Sequence, residues 1–265
     1  MEISSTKSKG RQTALITGAS SGIGAAFARS IARQGWHVVA VGRDRHRLDA
    51  LAQEIGAEVL PADLLNPRDL ATVEERVRSG VQLLVNNAGY TTYGHFPDMD
   101  LVPELGQLTL HTAVPLRLCH AAAQAMAPGG RIINVASLAG LGAAPGLASY
   151  GASKAALISL SESLHHELRG KITVTCVCAG YTRTELQARA GVDASALPSP
   201  MWKTPEFVAA KALSASERGH CLVIPGRLNT LTATLMRHLP RVIARRAAAK
   251  TYGVVQPAET ASSTR

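Results

Sequence analysis

The sequence predicts a single-domain α/β fold: a doubly wound parallel sheet of about seven strands with helices on both faces. Short apolar runs rich in β-branched residues alternate with segments of helical period. The apolar runs lack polar alternation, which is typical of strands covered on both faces. The helical segments are long enough for right-handed crossovers between parallel strands. Ligands of such a fold bind beyond the carboxyl ends of the strands.

Strands and helices are expected in alternation along the chain. The strands are predicted at 13–17, 37–41, 57–60, 82–86, 131–136, 172–178 and 221–224. The helices are predicted at 22–35, 45–55, 67–79, 101–127, 149–169 and 205–216. Residues 11–225 then form one domain without an internal linker. Residues 226–256 are expected to form a basic amphipathic helical extension, and residues 1–10 and 257–265 to be disordered tails.

Composition excludes several classes of protein. An apolar fraction of 46% with 18% charged residues excludes a disordered or fibrous chain. The four cysteines show no CxxC spacing, so neither disulfides nor a metal site are expected, and a cytoplasmic setting follows. No apolar run reaches the roughly 18 residues of a membrane span. More than half of the net charge of +9 lies between residues 237 and 250, where the absence of aromatic residues argues against nucleic-acid binding.

A glycine-rich turn follows the first strand. TGASSGIG (17–24) opens the first helix, so Gly18, Gly22 and Gly24 can let backbone N–H groups approach a pyrophosphate. The spacing is neither the dinucleotide fingerprint G-x-G-x-x-G nor a P-loop. A plain glycine-rich turn is one alternative. A hydrolase nucleophile at Ser20 is a weaker one, because only one strand precedes it.

The second strand leads into Gly42 and Arg43. An acid here would bind a ribose 2′-hydroxyl, whereas an arginine pairs with a 2′-phosphate. Arg43 is therefore expected to favour a phosphorylated dinucleotide. Arg47, four residues on, is interpreted as part of a solvated helix start.

YGASK (150–154) places Tyr150 and Lys154 four residues apart, on one face of the helix that they begin. An ammonium beside a phenol is expected to lower the pKa of the phenol toward that of a proton donor for a carbonyl oxygen. The same spacing also occurs by chance in surface pairs, so the surrounding sequence must decide whether this pair is catalytic.

In that context the chain resembles the short-chain dehydrogenase/reductase family over about residues 12–225. The family's motifs occur in order: TGASSGIG, NNAG (86–89) after the fourth strand, Ser137 thirteen residues before Tyr150, YGASK, and Thr184 after the sixth strand. The resemblance implies a Rossmann-like fold, NADP(H)-dependent reduction of a carbonyl or its reverse, and a homodimer or homotetramer.

The resemblance also implies roles for individual residues. Ser137 would polarise the carbonyl, Tyr150 would donate the proton, and Lys154 would bind ribose and tune Tyr150. The cofactor would contact Gly18, Ser20, Ser21, Gly22, Ile23, Gly24, Arg43, Asp63, Leu64, Asn87, Ala88, Gly89, Tyr150, Lys154, Gly180 and Thr184.

Two departures from the family pattern bear on activity. His111 stands where the family usually has an asparagine of the proton relay, and Ala179 replaces the proline that usually precedes Gly180. An imidazole can also hydrogen-bond a water, so an altered relay is expected and not a dead site. A merely packed His111 is the alternative.

The substrate is expected beneath the segment after the sixth strand. Apolar side chains in and around it predict a pocket for a hydrophobic or lipid-like carbonyl compound. The expected lining residues are Tyr90, Tyr93, Leu138, Leu141, Tyr181, Leu186, Leu197, Met201 and Trp202. Over 226–251, leucines recur at helical spacing beside arginines, so this helix is expected to pack on the protein or a partner subunit, or to contact an anionic membrane.

Three functions follow as hypotheses. The first is an NADPH-dependent carbonyl reductase of a small molecule. The second is a dinucleotide-binding scaffold or sensor without catalysis, which His111 and Ala179 suggest. The third is a membrane-surface or interaction protein acting through the basic helix. Intact Ser137, Tyr150 and Lys154 favour the first, since a sensor has no need of the acid.

Overall fold

The computed structural model describes residues 11–193, 199–238 and 256–257. The strands are β1 (Thr13–Thr17), β2 (His37–Gly42), β3 (Glu58–Pro61), β4 (Leu83–Asn86), β5 (Gly130–Ser137), β6 (Ile172–Ala179), β7 (Val192–Asp193), β8 (Leu222–Val223) and β9 (Gln256–Pro257). Seven of them form a parallel sheet in the order β3-β2-β1-β4-β5-β6-β8. A separate antiparallel pair joins β7 to β9. The predicted seven-stranded parallel sheet is therefore confirmed.

The helices are α1 (Gly22–Arg33), α2 (Arg45–Ile55), α3 (Pro67–Arg78), α4 (Leu101–Leu108), α5 (Val114–Ala125), α6 (Ala148–Glu167), α7 (Leu186–Arg189), α8 (Pro205–Glu217) and α9 (Arg227–His238). Four of them begin where a polar side chain accepts a hydrogen bond from a first-turn N–H, which fixes the helix start. These N-cap residues are Asp44, Asn66, Asp100 and Thr204.

The sheet changes direction at β1. The chain runs outward from β1 to β2 and β3, then returns to β4 on the other side of β1. Ile16 is accordingly paired with Ala40 of β2 on one side and with Val85 of β4 on the other. Such a reversal opens a crevice at the carboxyl ends of the two central strands.

The core lies on both faces of the sheet, as the apolar strand sequences predict. Ile16 faces one cluster of buried side chains, which includes Phe27 of α1 and Val208 of α8. Leu15 faces the other, which includes Val73 of α3 and Leu118 of α5. The two layers hold the carboxyl ends of the strands in fixed positions.

The prediction of a single helix over 101–127 is wrong, because the segment forms two helices with a break between them. A π-helical turn over Thr109–Ala113 separates α4 from α5, and the Val114 N–H donates to the Thr109 carbonyl, five residues back. Pro115 is the cause, because it has no N–H to give the His111 carbonyl the bond of a regular α-helix. His111 therefore lies in a local irregularity of the helix.

The C-terminal expectations fall partly outside the described residues. The predicted helical extension is helical over Arg227–His238, while residues 239–255 and the predicted tails at 1–10 and 258–265 are not described. Pro257, expected in a tail, instead pairs with Val192. Within the described ranges, no helix is both long and apolar enough to span a bilayer.

Candidate active site

A cavity of about 1570 Å³ opens at the carboxyl ends of β1, β4, β5 and β6. Single-ligand pockets are typically about 300 to 1,000 Å³, so this cavity has room for two ligands side by side. It gathers most of the predicted cofactor residues from separate loops. Those lining it are Gly18, Ser20, Ser21, Gly22, Ile23, Arg43, Asp63, Leu64, Asn87, Ala88, Gly89, Tyr150, Lys154, Gly180 and Thr184.

Gly24 is the exception among the predicted cofactor residues. It is buried beneath the glycine loop, where a Cβ would lie 2.1 Å from the Gly18 carbonyl oxygen and 2.5 Å from Asn87 Nδ2. Gly24 is therefore required for close packing of α1 against the loop and not for ligand contact. Gly18 has φ of +66°, which disfavours any side chain there.

The loops after β1 and β4 are tied together. Thr17 Oγ1 accepts hydrogen bonds from the backbone N–H groups of Asn87 (2.9 Å) and Ala88 (3.0 Å). The Asn87 side chain donates in return to the Thr17 carbonyl at 2.9 Å. Both walls of the crevice are thus held together by hydrogen bonds within the protein.

The N-terminus of α1 is suited to an anion. Gly22 and Ile23 line the cavity, and the side chain of the N-cap residue Ser21 makes no capping bond within the described part of the chain. The first N–H groups of a helix lack intrahelical partners, and the helix dipole favours negative charge there. A phosphate group fits this position.

Arg43 is the cation in the cavity wall that is available to bind such an anion. Arg45 pairs with Asp49, with 3.6 Å between Nε and Oδ2, whereas no bond or ion pair within the described ranges engages the exposed Arg43 guanidinium. An unpaired guanidinium in a cavity is suited to a phosphate.

Arg47 differs from its sequence interpretation. It is not merely solvated, because its Nη1 lies 3.0 and 2.8 Å from the two carboxylate oxygens of Glu185, on the opposite side of the cavity mouth. Glu185 also pairs with Arg189 of α7. Next to Glu185, the methyl group of Thr184 lies over Gly22, 3.1 Å from where a Cβ would be. The segment leading into α7 therefore lies across from the start of α1.

The three predicted catalytic side chains meet in the same cavity. Ser137 ends β5, and Tyr150 and Lys154 lie one turn apart on α6, which packs against β5 and β6. The Lys154 Nζ donates to the Val135 carbonyl at 3.0 Å and lies 5.6 Å from the centroid of the Tyr150 ring. The α6 backbone and the end of β5 thus set the relative positions of an alcohol, a phenol and an amine.

Burial governs the protonation of this group. It raises the pKa of Tyr150, while a hydrogen bond with Ser137 acts in the opposite direction. Burial also lowers the pKa of Lys154 to about 8. The expected net lowering of the Tyr150 pKa is wrong, because burial of the phenol outweighs the cation of Lys154, whose amine donates to the Val135 carbonyl. Tyr150 therefore keeps its proton at neutral pH, as a proton donor must.

His111 is buried against these residues. Its Nδ1 lies 3.0 Å from Ser153 Oγ, and its ring meets the Tyr150 ring edge-on, with 5.6 Å between centroids. Its Nε2 faces Gly89, where a Cβ would lie only 2.4 Å away. Burial, and secondarily the Lys154 ammonium, lower the pKa of His111 well below 6.5. The imidazole is therefore neutral, packed, and part of the cavity wall.

A buried polar network behind the site escaped the sequence reasoning. Gln107 accepts a bond from the Thr92 N–H (3.1 Å) and donates to Ser149 Oγ (2.8 Å), and Ser149 in turn donates to Glu104. The network ties the loop that holds Tyr90 and Tyr93 to α6 just before Tyr150. Polar residues at i and i+3 normally indicate an exposed helix face, so the sequence carries no signal of it.

The substrate side of the cavity is largely apolar. Trp202 is not among the residues that line the cavity, and its ring packs on that of Tyr181 with 5.6 Å between centroids. Leu197 is outside the described residues. The predicted residues that line the cavity are Tyr90, Tyr93, Leu138, Leu141, Tyr181, Leu186 and Met201. The structure adds Leu147 and the α9 residues Leu228, Asn229, Thr232 and Ala233.

The segment that carries α7 is closed at its base. The Arg183 N–H donates to the Lys203 carbonyl and the Lys203 N–H donates to the Tyr181 carbonyl, each at 2.9 Å. These bonds form a parallel bridge between Thr182 and Lys203. Residues 183–202 thus leave and rejoin the domain at one point.

Comparisons with known proteins agree with this geometry. Residues 12–194 match the family profile described as short chain dehydrogenase. The chain is 39% identical to nodulation protein G of Rhizobium meliloti over 65% of its length and 74% of the relative. It is 32% identical to the 3-oxoacyl-(acyl-carrier-protein) reductase of Escherichia coli, over 77% of the chain and 89% of that protein.

Two solved structures are similar over most of the chain. A short-chain dehydrogenase from Sphingobium yanoikuyae in complex with NADPH has a TM-score of 0.75 and 36% identity, covering 87% of this chain and 97% of its own. The bulky-bulky ketone specific alcohol dehydrogenase from Comamonas testosteroni has a TM-score of 0.72 and 33% identity, covering 87% and 95%.

Proposed function

The chain belongs to the short-chain dehydrogenase family, and from that membership we propose that it is an NADPH-dependent reductase of bulky, apolar carbonyl compounds, also able to run in reverse. As a member it is an oxidoreductase of C=O and CH–OH groups. The observation that carries the proposal is that Ser137, Tyr150 and Lys154 meet the glycine loop in one cavity.

The residues present fit a nicotinamide dinucleotide. The uncapped start of α1 and the unpaired Arg43 are where its phosphates would be held. Asp63 and Leu64 would hold the adenine. The backbone of Asn87–Gly89 would lie along the nicotinamide ribose, and Gly180 and Thr184 beside the carboxamide. When bound, NADPH supplies the hydride that reduces the carbonyl carbon.

The protein's own groups supply the proton. Tyr150, kept protonated by burial, would donate it to the carbonyl oxygen, and the Ser137 hydroxyl would polarise that carbonyl by a second hydrogen bond. The Lys154 ammonium would bind ribose and favour the charge left on Tyr150. Reprotonation of Tyr150 would then run past Lys154 and His111, since the Lys154 amine and the His111 ring centroid each lie 5.6 Å from the centroid of the phenol ring.

The preference for NADP(H) rests on charge. Gly42 supplies no carboxylate at the end of β2, and Arg43 forms no ion pair within the described ranges. The NADPH-bound relative from Sphingobium yanoikuyae adds support. An arginine suits a 2′-phosphate better than a 2′-hydroxyl.

A bulky, apolar substrate is supported by the cavity's size and by its aromatic and aliphatic wall. Tyr93, Tyr181 and Leu228 are members of that wall. The similarity to an enzyme named for bulky-bulky ketones points the same way.

The protein's setting and assembly are part of the proposal. We place it in the cytoplasm, supported by four free thiols. A homo-oligomer is supported by exposed apolar side chains on α4 and α5, namely Leu101, Val102, Leu105 and Leu116. Exposed Leu231 and Leu235 on α9 would serve the same end or contact a membrane surface.

The experiment that tests the function is a turnover assay with NADPH and a panel of ketones, aldehydes and 3-oxoacyl thioesters of increasing bulk. The expected result is NADPH oxidation that increases with apolar bulk and is lost in Tyr150→Phe. Binding of NADPH without turnover of any carbonyl would instead support the scaffold hypothesis.

A further inference from the structure

We propose that Ser153 is a positioning residue that fixes the tautomer of His111, leaving His111 Nε2 as a bare hydrogen-bond acceptor beside Gly89. The use of that acceptor in proton transfer rests on the proposed function. The proton arrangement itself follows from contacts within the protein.

The argument begins with the single proton of the Ser153 hydroxyl. Ser153 Oγ lies 2.8 Å from the Tyr150 carbonyl oxygen, one turn earlier in α6. A carbonyl oxygen only accepts, so Ser153 donates its proton there. Ser153 is fully buried, so no solvent competes for that proton. The oxygen of Ser153 is left to accept.

That oxygen lies 3.0 Å from His111 Nδ1. Because it has no second proton to give, Nδ1 must carry the hydrogen of this bond. A neutral imidazole has one ring proton, so Nε2 has none and presents a lone pair. A flipped ring would place a carbon against Ser153 and lose the bond altogether. The two contacts together therefore select one tautomer in one orientation.

The surroundings of Nε2 indicate what this lone pair is for. It is buried and has no partner among the described residues, and it faces Gly89 in the cavity wall. Of the titratable groups around the ring, Lys154 is the cation, and the phenols Tyr150 and Tyr90 lie with ring centroids at 5.6 and 6.4 Å. Gly89 closes off Nε2, so a water or ligand hydroxyl that accepts from Lys154 donates to Nε2 only once Gly89 shifts.

The opposite tautomer would reverse this polarity. An Nε2–H would place a second donor beside the Lys154 ammonium, with no acceptor between them. A water there would then have no group to which it could pass a proton. Ser153 thus acts through His111, by setting the direction in which the buried chain of hydrogen bonds runs.

The test is the tautomer itself, read by long-range ¹H–¹⁵N NMR of ¹⁵N-histidine-labelled protein without cofactor. The His111 signals are assigned by their loss in His111→Asn. At pH 7.5 the wild type should show a protonated Nδ1 and an unprotonated Nε2. In Ser153→Ala the Nδ1 proton has no acceptor, so the ring should move to the Nε2–H form or a mixture. Ser153→Thr retains the hydroxyl and should restore the wild-type signals.

Ser161→Ala is the matched control. Ser161 is also fully buried on α6 and also donates to a backbone carbonyl one turn earlier, that of Leu157, but its other partner is Asn134. It should leave the His111 signals unchanged. With NADPH and a substrate, Ser153→Ala should lower kcat about five- to tenfold, the effect of one lost hydrogen bond, with KM unchanged.

The outcomes separate this inference from the proposed function. A protonated Nε2 in the wild type, or wild-type signals in Ser153→Ala, would overturn the inference whatever the activity. The expected tautomers in a protein that turns over no carbonyl would uphold the proton arrangement and refute the reductase.

Discussion

Arg47 and Glu185, which are 138 residues apart in the sequence, form a two-pronged ion pair across the mouth of the cavity. Arg47 belongs to α2, beyond the strand that ends near Arg43. Glu185 directly follows Thr184, which lies over the glycine loop. The pair therefore joins the two sides between which a dinucleotide would have to enter and leave.

Breaking this pair should speed the release of NADPH. We expect Arg47→Gln and Glu185→Gln each to raise the dissociation rate about two- to fivefold, the range for a half-exposed ion pair. The double variant should be less than additive, since the two changes share the interaction across the mouth and each adds only the loss of a local pair, Arg47 with Asp44 or Glu185 with Arg189. Stopped-flow fluorescence of bound NADPH measures the rate, and Arg45→Gln, whose partner Asp49 is on its own helix, should leave it unchanged. Additive effects would refute the bridge.

Arg43 should decide between the two nicotinamide cofactors. A charge-assisted pair contributes about 1.5 to 3 kcal/mol, so NADPH should bind about ten- to a hundredfold more tightly than NADH. Arg43→Ala should abolish most of this preference by weakening NADPH alone. Titration of both cofactors by calorimetry checks it, and equal binding of the two by the wild type would contradict the assignment.

Tyr150→Phe should separate chemistry from binding. The phenylalanine keeps the ring that packs on His111 but lacks the acidic proton, so turnover should fall about 10² to 10⁴-fold. The Kd for NADPH and the melting temperature should stay close to wild type. Near-native turnover would show that another group is the acid.

His111 should make the protein sensitive to acid. Its pKa in the folded chain lies well below the usual 6.5, so below pH 6.5 the unfolded chain binds a proton that the folded chain refuses. Stability is then fully present above pH 6.5 and is lost as the pH falls. His111→Asn should reduce that slope by up to about 1.4 kcal/mol per pH unit, measured by urea unfolding. The acid-side fall in turnover should likewise lie well below pH 6.5, and an identical fall in His111→Asn would argue against the relay.

Lys154 should act at the alkaline side, with a slope of the same sign as that of His111. Its pKa of about 8 in the folded chain compares with the usual 10.5, so the unfolded chain holds an extra proton between these values. Stability should therefore rise with pH through this window. The unfolding free energy of the wild type minus that of Lys154→Met should rise by about 3 kcal/mol from pH 8 to 10.5. A constant difference would mean that the amine is not desolvated.

The sheet was predictable because its strands are buried on both faces. A run such as His37–Gly42 can be identified as a strand from its own sequence, since nearly every residue in it is apolar. The helix starts were equally local, because a capping side chain and a first-turn proline are neighbours in sequence. The residues that line the cavity came from motifs at the ends of those strands.

What could not be predicted depends on partners distant in sequence. The polar side chains of Glu104 and Gln107 are buried because Ser149 of α6 forms hydrogen bonds with both of them. Ser149 is more than 40 residues away from them in the sequence. Trp202 packs on Tyr181, and Tyr181 is the one of the two that lines the cavity. Burial is the main cause of the raised pKa of Tyr150, and the four-residue spacing between Tyr150 and Lys154 carries no information about burial.

The backbone hydrogen bonds that join the two ends of residues 183–202 affect how the sequence of such a protein can change during evolution. Tyr181 and Lys203 hold both ends of the segment, so its length and sequence can change without moving β6 or the catalytic helix α6. Doubling the length of a loop costs only about 0.6 kcal/mol in closure entropy. The match to the family profile ends at residue 194, inside this segment. We therefore expect exchange of this segment to change substrate choice, while the positions of Ser137, Tyr150 and Lys154 stay unchanged.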